Sequence, residues 1–287
     1  AMFHVDNAYQ LGDTHVTGHR LKTNIVSHTA FRGFGGPQGL IMAELLMDVV
    51  ARKTGLDPLS VRKLNLYGQE NGTVTPYGMP LEQDILADLI GKLEADSNYW
   101  QRREEVKAFN AASPIIKKGL ALTPVKFGIS FTAKHLNQAG ALLHIYTDGS
   151  IQVNHGGTEM GQGLHTKIGQ IVAHEFGVTL DNIEVTATRT DKVPNTSPTA
   201  ASSGTDLNGK AAQNACITIK ERLAAFFAEQ FNVPAEDVIF AAGQVSAGGH
   251  HLPFTQLIQN AYMARISLSA TGYYRTPKIY YDRETGS

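Results

Sequence analysis

One cysteine, Cys216, is all this 287-residue chain contains, so no disulfide framework and no cysteine cage for zinc or an iron–sulfur cluster can be built within it. Such scarcity fits a reducing compartment. Charge of one sign is equally absent. The chain has 25 Lys+Arg against 26 Asp+Glu, which excludes a general electrostatic affinity for nucleic acid or an anionic membrane. No apolar run approaches the roughly 20 residues of a membrane-spanning helix. The greasiest stretch, Leu40 to Val50, is interrupted by Glu44 and Asp48. A basic head and long apolar stretch are missing from the start, Ala1-Met2-Phe3-His4-Val5-Asp6, so it does not read as a secretion signal. Both ends, the last at Ser287, read as the interior of a longer protein, and the chain is expected to be an internal fragment.

What is present is 42% apolar residues and 8% aromatics, enough for a folded core and against a disordered chain. Residues 1–36 suggest short strands and turns. Pro37 opens a helix with Leu40, Ala43, Leu46, Met47 and Val50 on one face and Gly55 as its stop. Asp57-Pro58 caps a short helix, with Leu59, Val61 and Leu64 inward and Arg62 and Lys63 outward. Further helices are predicted over 80–95 and 99–112. From Lys117 the period changes: 125–131 alternates like a strand, 140–147 reads as a buried strand, and Asp148-Gly149 turns it into a partner over 151–155. Helices over 164–176, 206–231 and 254–264, with a strand over 183–188, complete an α+β reading. The expected seam falls at 114/115.

Three loops rich in glycine or small residues each lead into a helix. The first is Phe31-Arg32-Gly33-Phe34-Gly35-Gly36-Pro37-Gln38, where glycines permit close backbone approach and Arg32 can meet an anion. By pattern alone a plain turn into a helix is favoured there. The second, Gly156-Gly157-Thr158-Glu159-Met160-Gly161-Gln162-Gly163, has the strand–loop–helix order suited to anions but matches neither a P-loop nor a dinucleotide fingerprint. A phosphate or pterin cradle and a structural turn fit it equally. The third, Pro194 to Asp206, leaves room for a bulky ligand, or is a surface loop. His155, His165 and His174 lack ligand spacing and are expected to be satisfied structural histidines; His250 and His251 are expected to be exposed, and Cys216 to pack in a helix. No Gly-x-Ser-x-Gly elbow supports a serine hydrolase.

Four segments in this order, Phe31–Gln38, Phe127-Gly128-Ile129-Ser130-Phe131-Thr132, Gly157–Lys167 and Pro194–Gly209, resemble the molybdopterin-binding region of the xanthine dehydrogenase / aldehyde oxidase family. The likeness runs along nearly the whole chain, and the Gly-Phe-Gly-Gly-Pro-Gln wording is closer to the xanthine dehydrogenase branch. It implies part of the elongated two-subdomain molybdopterin-binding domain, with residues 1–114 ending the first subdomain and 115–287 beginning the second.

For the site, the resemblance implies that Arg32 lies beside the molybdenum centre and that Phe34 stacks on the substrate ring. Phe131 meets that ring edge-on, with Thr132 a neighbouring contact. Gln162 hydrogen-bonds the pterin. Ala200 and Ala201 are the small residues that leave the substrate its place, Ala201 next to the metal, and Gly33, Gly161, Ser202 and Thr205 line the cofactor. The metal is held by cofactor sulfurs, not by side chains. Two aromatic rings, one face-on and one edge-on, would hold a planar purine with little freedom to lose.

The implied reaction is hydroxylation of hypoxanthine or xanthine toward urate, with electrons leaving through 2Fe-2S clusters to FAD and NAD on other domains or subunits. A dimer of catalytic units in the cytoplasm is implied as well. The family's general-base glutamate motif, Gly-Glu-Pro-Pro, is absent from the chain and is expected beyond Ser287. The substrate-orienting Glu and Arg would fall before Ala1. No catalytic residue is therefore assigned, and this piece alone is expected to be inactive. An aldehyde or other N-heterocycle hydroxylase, or a non-catalytic binding or assembly module, are the alternatives.

Overall fold

The computed structural model describes every residue except 29–31, 69–70, 84, 193–195 and 287. Phe31, Pro194 and Asn195 of the loops above lie outside the described residues. So does Ser287, the position beyond which the general-base glutamate is expected, and the structure bears on that expectation in neither direction. The fold is α+β, and its contacts divide into two compact units: residues 1–128 with those from Asp282 on, and residues Ile129–Tyr281.

In the first unit four helices follow one another: α1 (Gly36–Thr54), α2 (Pro58–Leu64), α3 (Leu86–Asp96) and α4 (Tyr99–Ala112). Gly55 ends α1 in the left-handed region at φ +73°, and the Asp57 carboxylate caps α2 by accepting the Leu59 N–H at 2.8 Å. The buried faces differ from the pattern. On α1 they are Gly36, Gly39, Ala43, Met47 and Ala51, while Leu46 and Val50 are exposed. On α2, Leu64 points outward and Arg62 inward. Arg62 is taken in because two acids of α1 meet it: its Nε donates to Glu44 at 2.6 Å and its Nη2 to Asp48 at 2.9 Å. The predicted start of α3 at Pro80 gives way to extended backbone, since Leu81 N–H donates to Thr73 and Val74 bridges Pro80. Residues 1–28 hold a 3-10 turn at Met2–His4 and a single bridge, Tyr9 to Leu66, in place of strands. Nor does 125–131 form a strand. Partners distant in sequence take up its polar groups instead: Lys126 N–H donates to the Asn7 side chain, and the Lys126 ammonium pairs with buried Asp6 at 2.6 Å.

The second unit is built on a four-stranded sheet in the order β3-β2-β1-β7. Strands β1 (Gln138–Ile145) and β2 (Ile151–His155) form the predicted hairpin, with Gly149 at φ +85° in its turn. Strand β3 (Ile183–Val185) runs parallel to β2, and β7 (Ser269–Arg275), unforeseen in the sequence, runs antiparallel to β1. Helices α5 (Leu164–Phe176) and α6 (Gly204–Phe231) cover the sheet and bury Leu143, Ile151, Val153, Ile168, Val172, Ile219 and Phe227 with Cys216. A Cβ at Gly272 on β7 would collide with the backbone of Ala211 and Ala215, so strand and helix approach at bare-backbone distance. Strands β4 (Ile239–Ala241), β5 (Gln244–Ala247) and β6 (His250–Pro253) make a small second sheet that periodicity did not reveal, and α7 (Phe254–Met263) follows it. His250 and His251 are exposed on β6.

Among the described residues no helix is long and apolar enough to cross a membrane.

A candidate cofactor site on three loops

In the first unit the turn before α1 has three consecutive residues at positive φ: Gly33 at +94°, Phe34 at +47° and Gly35 at +87°. Added Cβ atoms at Gly33, Gly35 and Gly36 would strike Pro37, Ala1 and Phe127. The turn is therefore pressed against its own unit and holds Phe34 outward at 57% exposure, with Arg32 also exposed. An exposed aromatic in the left-handed region carries a backbone cost, held here by the packing of the glycines on either side of it.

Within the second unit the remaining candidates lie on three segments that hydrogen bonds tie together. The glycine loop joins β2 to α5; the small-residue loop precedes α6; and residues 130–132 precede β1. Thr158 N–H, in the first, donates to Thr199 Oγ1 in the second at 2.8 Å. Ser130 N–H, in the third, donates to the Ala201 carbonyl at 3.2 Å. Phe131, half-buried, is held through its backbone, its N–H donating to Asn137 Oδ1 at 2.8 Å and its carbonyl accepting from Asn137 Nδ2 at 2.9 Å. Thr132 beside it is exposed. Ala200 is half-buried and Ala201 buried; Ala201 and Ser202 stand at φ +53° and +56°. Two consecutive non-glycine residues in that region cost about 1 kcal/mol or more each.

Two side chains close the glycine loop in a way the sequence did not disclose. The Glu159 carboxylate accepts from the N–H groups of Gly161 (2.9 Å), Gly163 (3.0 Å) and His165 (3.1 Å). Those bonds, the one from His165 foremost, hold its carboxyl below the ordinary range. An acidic residue shortly before a helix start was the available signal, since its charge suits the helix dipole. Gln162 turns both ends of its amide inward, accepting from Met160 N–H at 2.6 Å and donating to the Thr158 carbonyl at 2.8 Å. The anion position at the start of α5 is thus filled by the chain itself.

The start of α6 is different. Its N-cap, Ser203, makes no side-chain cap and donates instead to the Ala200 carbonyl. Thr196 Oγ1 is buried with no protein partner, Ser202 is exposed, and Thr205 lies in the first turn. Uncapped amides, hydroxyls and a bed of small side chains form a donor set that fits a polar, multi-edged heterocycle with an acidic tail. No group of three or more His, Cys, Asp or Glu side chains gathers as a metal site among the described residues.

Beneath these loops sit His155 and His165, rings edge to face at 5.1 Å. Neither is fully satisfied, because each Nε2 is buried without a protein partner. That departs from the expectation of satisfied structural histidines. Burial, and then His165, hold the His155 imidazole down to about 4. Cys216 packs in α6 as expected, burial pushing its thiol up.

Comparison with known proteins gives the family and the fold relatives of the chain. A molybdopterin cofactor-binding domain model matches residues 92–287, and a second such model matches residues 1–66. A xanthine dehydrogenase/oxidase of Gallus gallus is 45% identical over 285 residues, covering 99% of this chain and 19% of the relative. One of Rattus norvegicus is 44% identical over 287 residues, covering 100% of this chain and 20% of the relative. The chain therefore spans about a fifth of the length of the relatives it matches. In fold it is similar to a Cu,Mo-CO dehydrogenase of known structure, at TM-score 0.70 and 21% identity over 85% of this chain and 33% of that one. With one domain model covering more than half of its residues, the chain belongs to the molybdopterin cofactor-binding domain family.

Proposed function

We propose that this chain forms part of a molybdenum hydroxylase of xanthine dehydrogenase activity, which oxidises hypoxanthine and xanthine toward urate, and that its loops bind the molybdopterin and the purine. The observation that supports this best is the pair of bonds, Thr158 to Thr199 and Ser130 to Ala201, that joins three separate segments at one place. When bound, the molybdenum–molybdopterin group supplies the two-electron redox chemistry.

The chain's own residues bind and orient. Phe34 offers an exposed ring to the flat face of a heterocycle, and Phe131 offers an edge steadied by Asn137. Thr132 adds a polar contact. Ala200 and Ala201 leave space where any larger side chain would intrude, with Ala201 and Arg32 adjacent to the metal without ligating it. Gly33, Gly161, Gln162, Ser202 and Thr205 line the pterin, the hydroxyls and the uncapped start of α6 acting as donors. The 2Fe-2S clusters, FAD and NAD belong to other domains or subunits. The general base, expected past Ser287, and the substrate-orienting residues likewise come from elsewhere in the complete protein. A dimer of catalytic units and a cytoplasmic setting complete the reading.

The test is the complete protein, expressed with cofactor supply. Molybdenum content near one per chain, with urate formed from xanthine and NAD reduced, is the expected result. Aldehydes oxidised in preference to xanthine would replace the substrate assignment, and absence of both metal and pterin would remove the functional one.

A further inference from the structure

His155 ends β2 and is 1% exposed. Its Nδ1 accepts the Gly157 N–H at 3.0 Å. An imidazole nitrogen that accepts a hydrogen bond carries no proton, so the neutral ring holds its proton on Nε2. An imidazolium would set a second N–H against that of Gly157, donor facing donor.

Gly157 is also held at its carbonyl and crowded on its Cβ side. Its carbonyl accepts from Thr188 Oγ1 at 2.9 Å, and a Cβ there would meet Leu164 at 2.5 Å and Asn208 at 3.0 Å. The next residue, Thr158, carries the bond to Thr199 that joins the glycine loop to the small-residue loop. Whatever moves Gly157 therefore reaches both loops.

We propose that His155 is a positioning residue for the two loops. As the Nε2–H tautomer it fixes the Gly157 amide and, through Thr158 and Thr199, the seating of 196–203 against 156–163; protonation of the ring unlocks both. The consequence for cofactor retention rests on the proposed function, whereas the loop geometry does not. His165 of α5, edge to face with the ring, is titratable, and a charge there opposes a charge on His155. The residue paired with His155 on β1 is Ala141, and Asn208 and Thr188, both uncharged, stand against Gly157.

Hydrogen–deuterium exchange read by mass spectrometry on the complete protein, with and without cofactor, tests this through two variants. His155→Asn keeps an oxygen acceptor near the place of Nδ1 and does not titrate; His155→Leu fills similar volume without an acceptor. Exchange of 156–163 in His155→Asn is expected to match wild type at neutral pH. In His155→Leu it should rise about tenfold, with 196–203 following, α6 core protection unchanged and molybdenum content reduced. Wild-type loop exchange, corrected for its intrinsic pH dependence, should accelerate below pH about 5, and that of His155→Asn should not.

The proposal is overturned by wild-type protection of the loops in His155→Leu, or by equal loss in both variants. Should His155→Leu not fold, wild type against His155→Asn decides, and identical pH dependence in the two overturns it. Loops that behave as expected in a protein that never holds molybdenum would sustain the role of His155 and refute the cofactor reading instead.

Discussion

An imidazole free in water titrates near 6.5. At the end of β2, burial and the neighbouring His165 hold His155 down to about 4. Between those values the unfolded chain binds a proton that the folded chain refuses, so stability rises with pH through the window, is complete above about 6.5, and is lost as pH falls toward about 4. The effect is on the order of 3 kcal/mol. Urea midpoints of wild type and His155→Asn should diverge across that window and run parallel above it; parallel curves throughout would contradict the assignment. Gly157 makes a second prediction at this scale. A methyl group there would press on Leu164, Asn208 and His155, so Gly157→Ala is expected to cost about 2 kcal/mol, read as a lower urea midpoint at constant slope. A change under about 0.5 kcal/mol would mean that the loop root shifts freely.

At the scale of elements, α1 and α2 show why apolar periodicity located helices but misassigned their inner faces. Both helices lie where the pattern put them, yet α2 buries Arg62 and exposes Leu64. Glu44 and Asp48 stand one turn apart on α1, and Glu44 also receives hydrogen bonds from Tyr9 (2.6 Å) and Asn7 (2.7 Å). A cation between such acceptors is more stable inside than leucine would be, and only the packing of one helix on the other reveals it. Arg62→Met should destabilise by about 3 kcal/mol, because Glu44 would keep its charge in a half-buried place without its cation. The double variant with Glu44→Gln should recover part of that loss. No recovery would show that Arg62 acts through its packing rather than its charge. The small sheet β4-β5-β6 escaped the sequence because its strands have only three or four residues, and β7 because Gly272 alone of its seven residues is buried, which leaves no apolar alternation.

At the scale of the whole molecule, each of the two compact units carries candidate residues of its own on a glycine-rich loop. Under the proposed function, Phe34 in the first unit is the side chain whose removal should separate binding from folding. It is exposed and makes no part of either core, so Phe34→Ala in the complete protein should leave the unfolding midpoint unchanged. The same change should lower kcat/KM for xanthine about tenfold, through loss of ring stacking. Unchanged kinetics would favour the plain reading of that loop as a turn into α1. The contact boundary at 128/129 is also a property of the whole, since residues 120–126 are held by Asn7, Asp6 and the first core rather than by the strands that follow them.

From the sequence alone came the family, the helices, the β1–β2 hairpin and the three loops, because glycine runs, capping residues and apolar spacing act over a few neighbouring residues and leave their mark in order along the chain. The tertiary structure alone decided that Glu159 closes the glycine loop, that Gln162 turns inward, that Ser130 and Thr158 join distant segments, and that His155 accepts the Gly157 amide. Each of these depends on a directional bond whose partner is set by three-dimensional approach: the residue type shows that a side chain can accept or donate, and the fold decides which backbone group it meets.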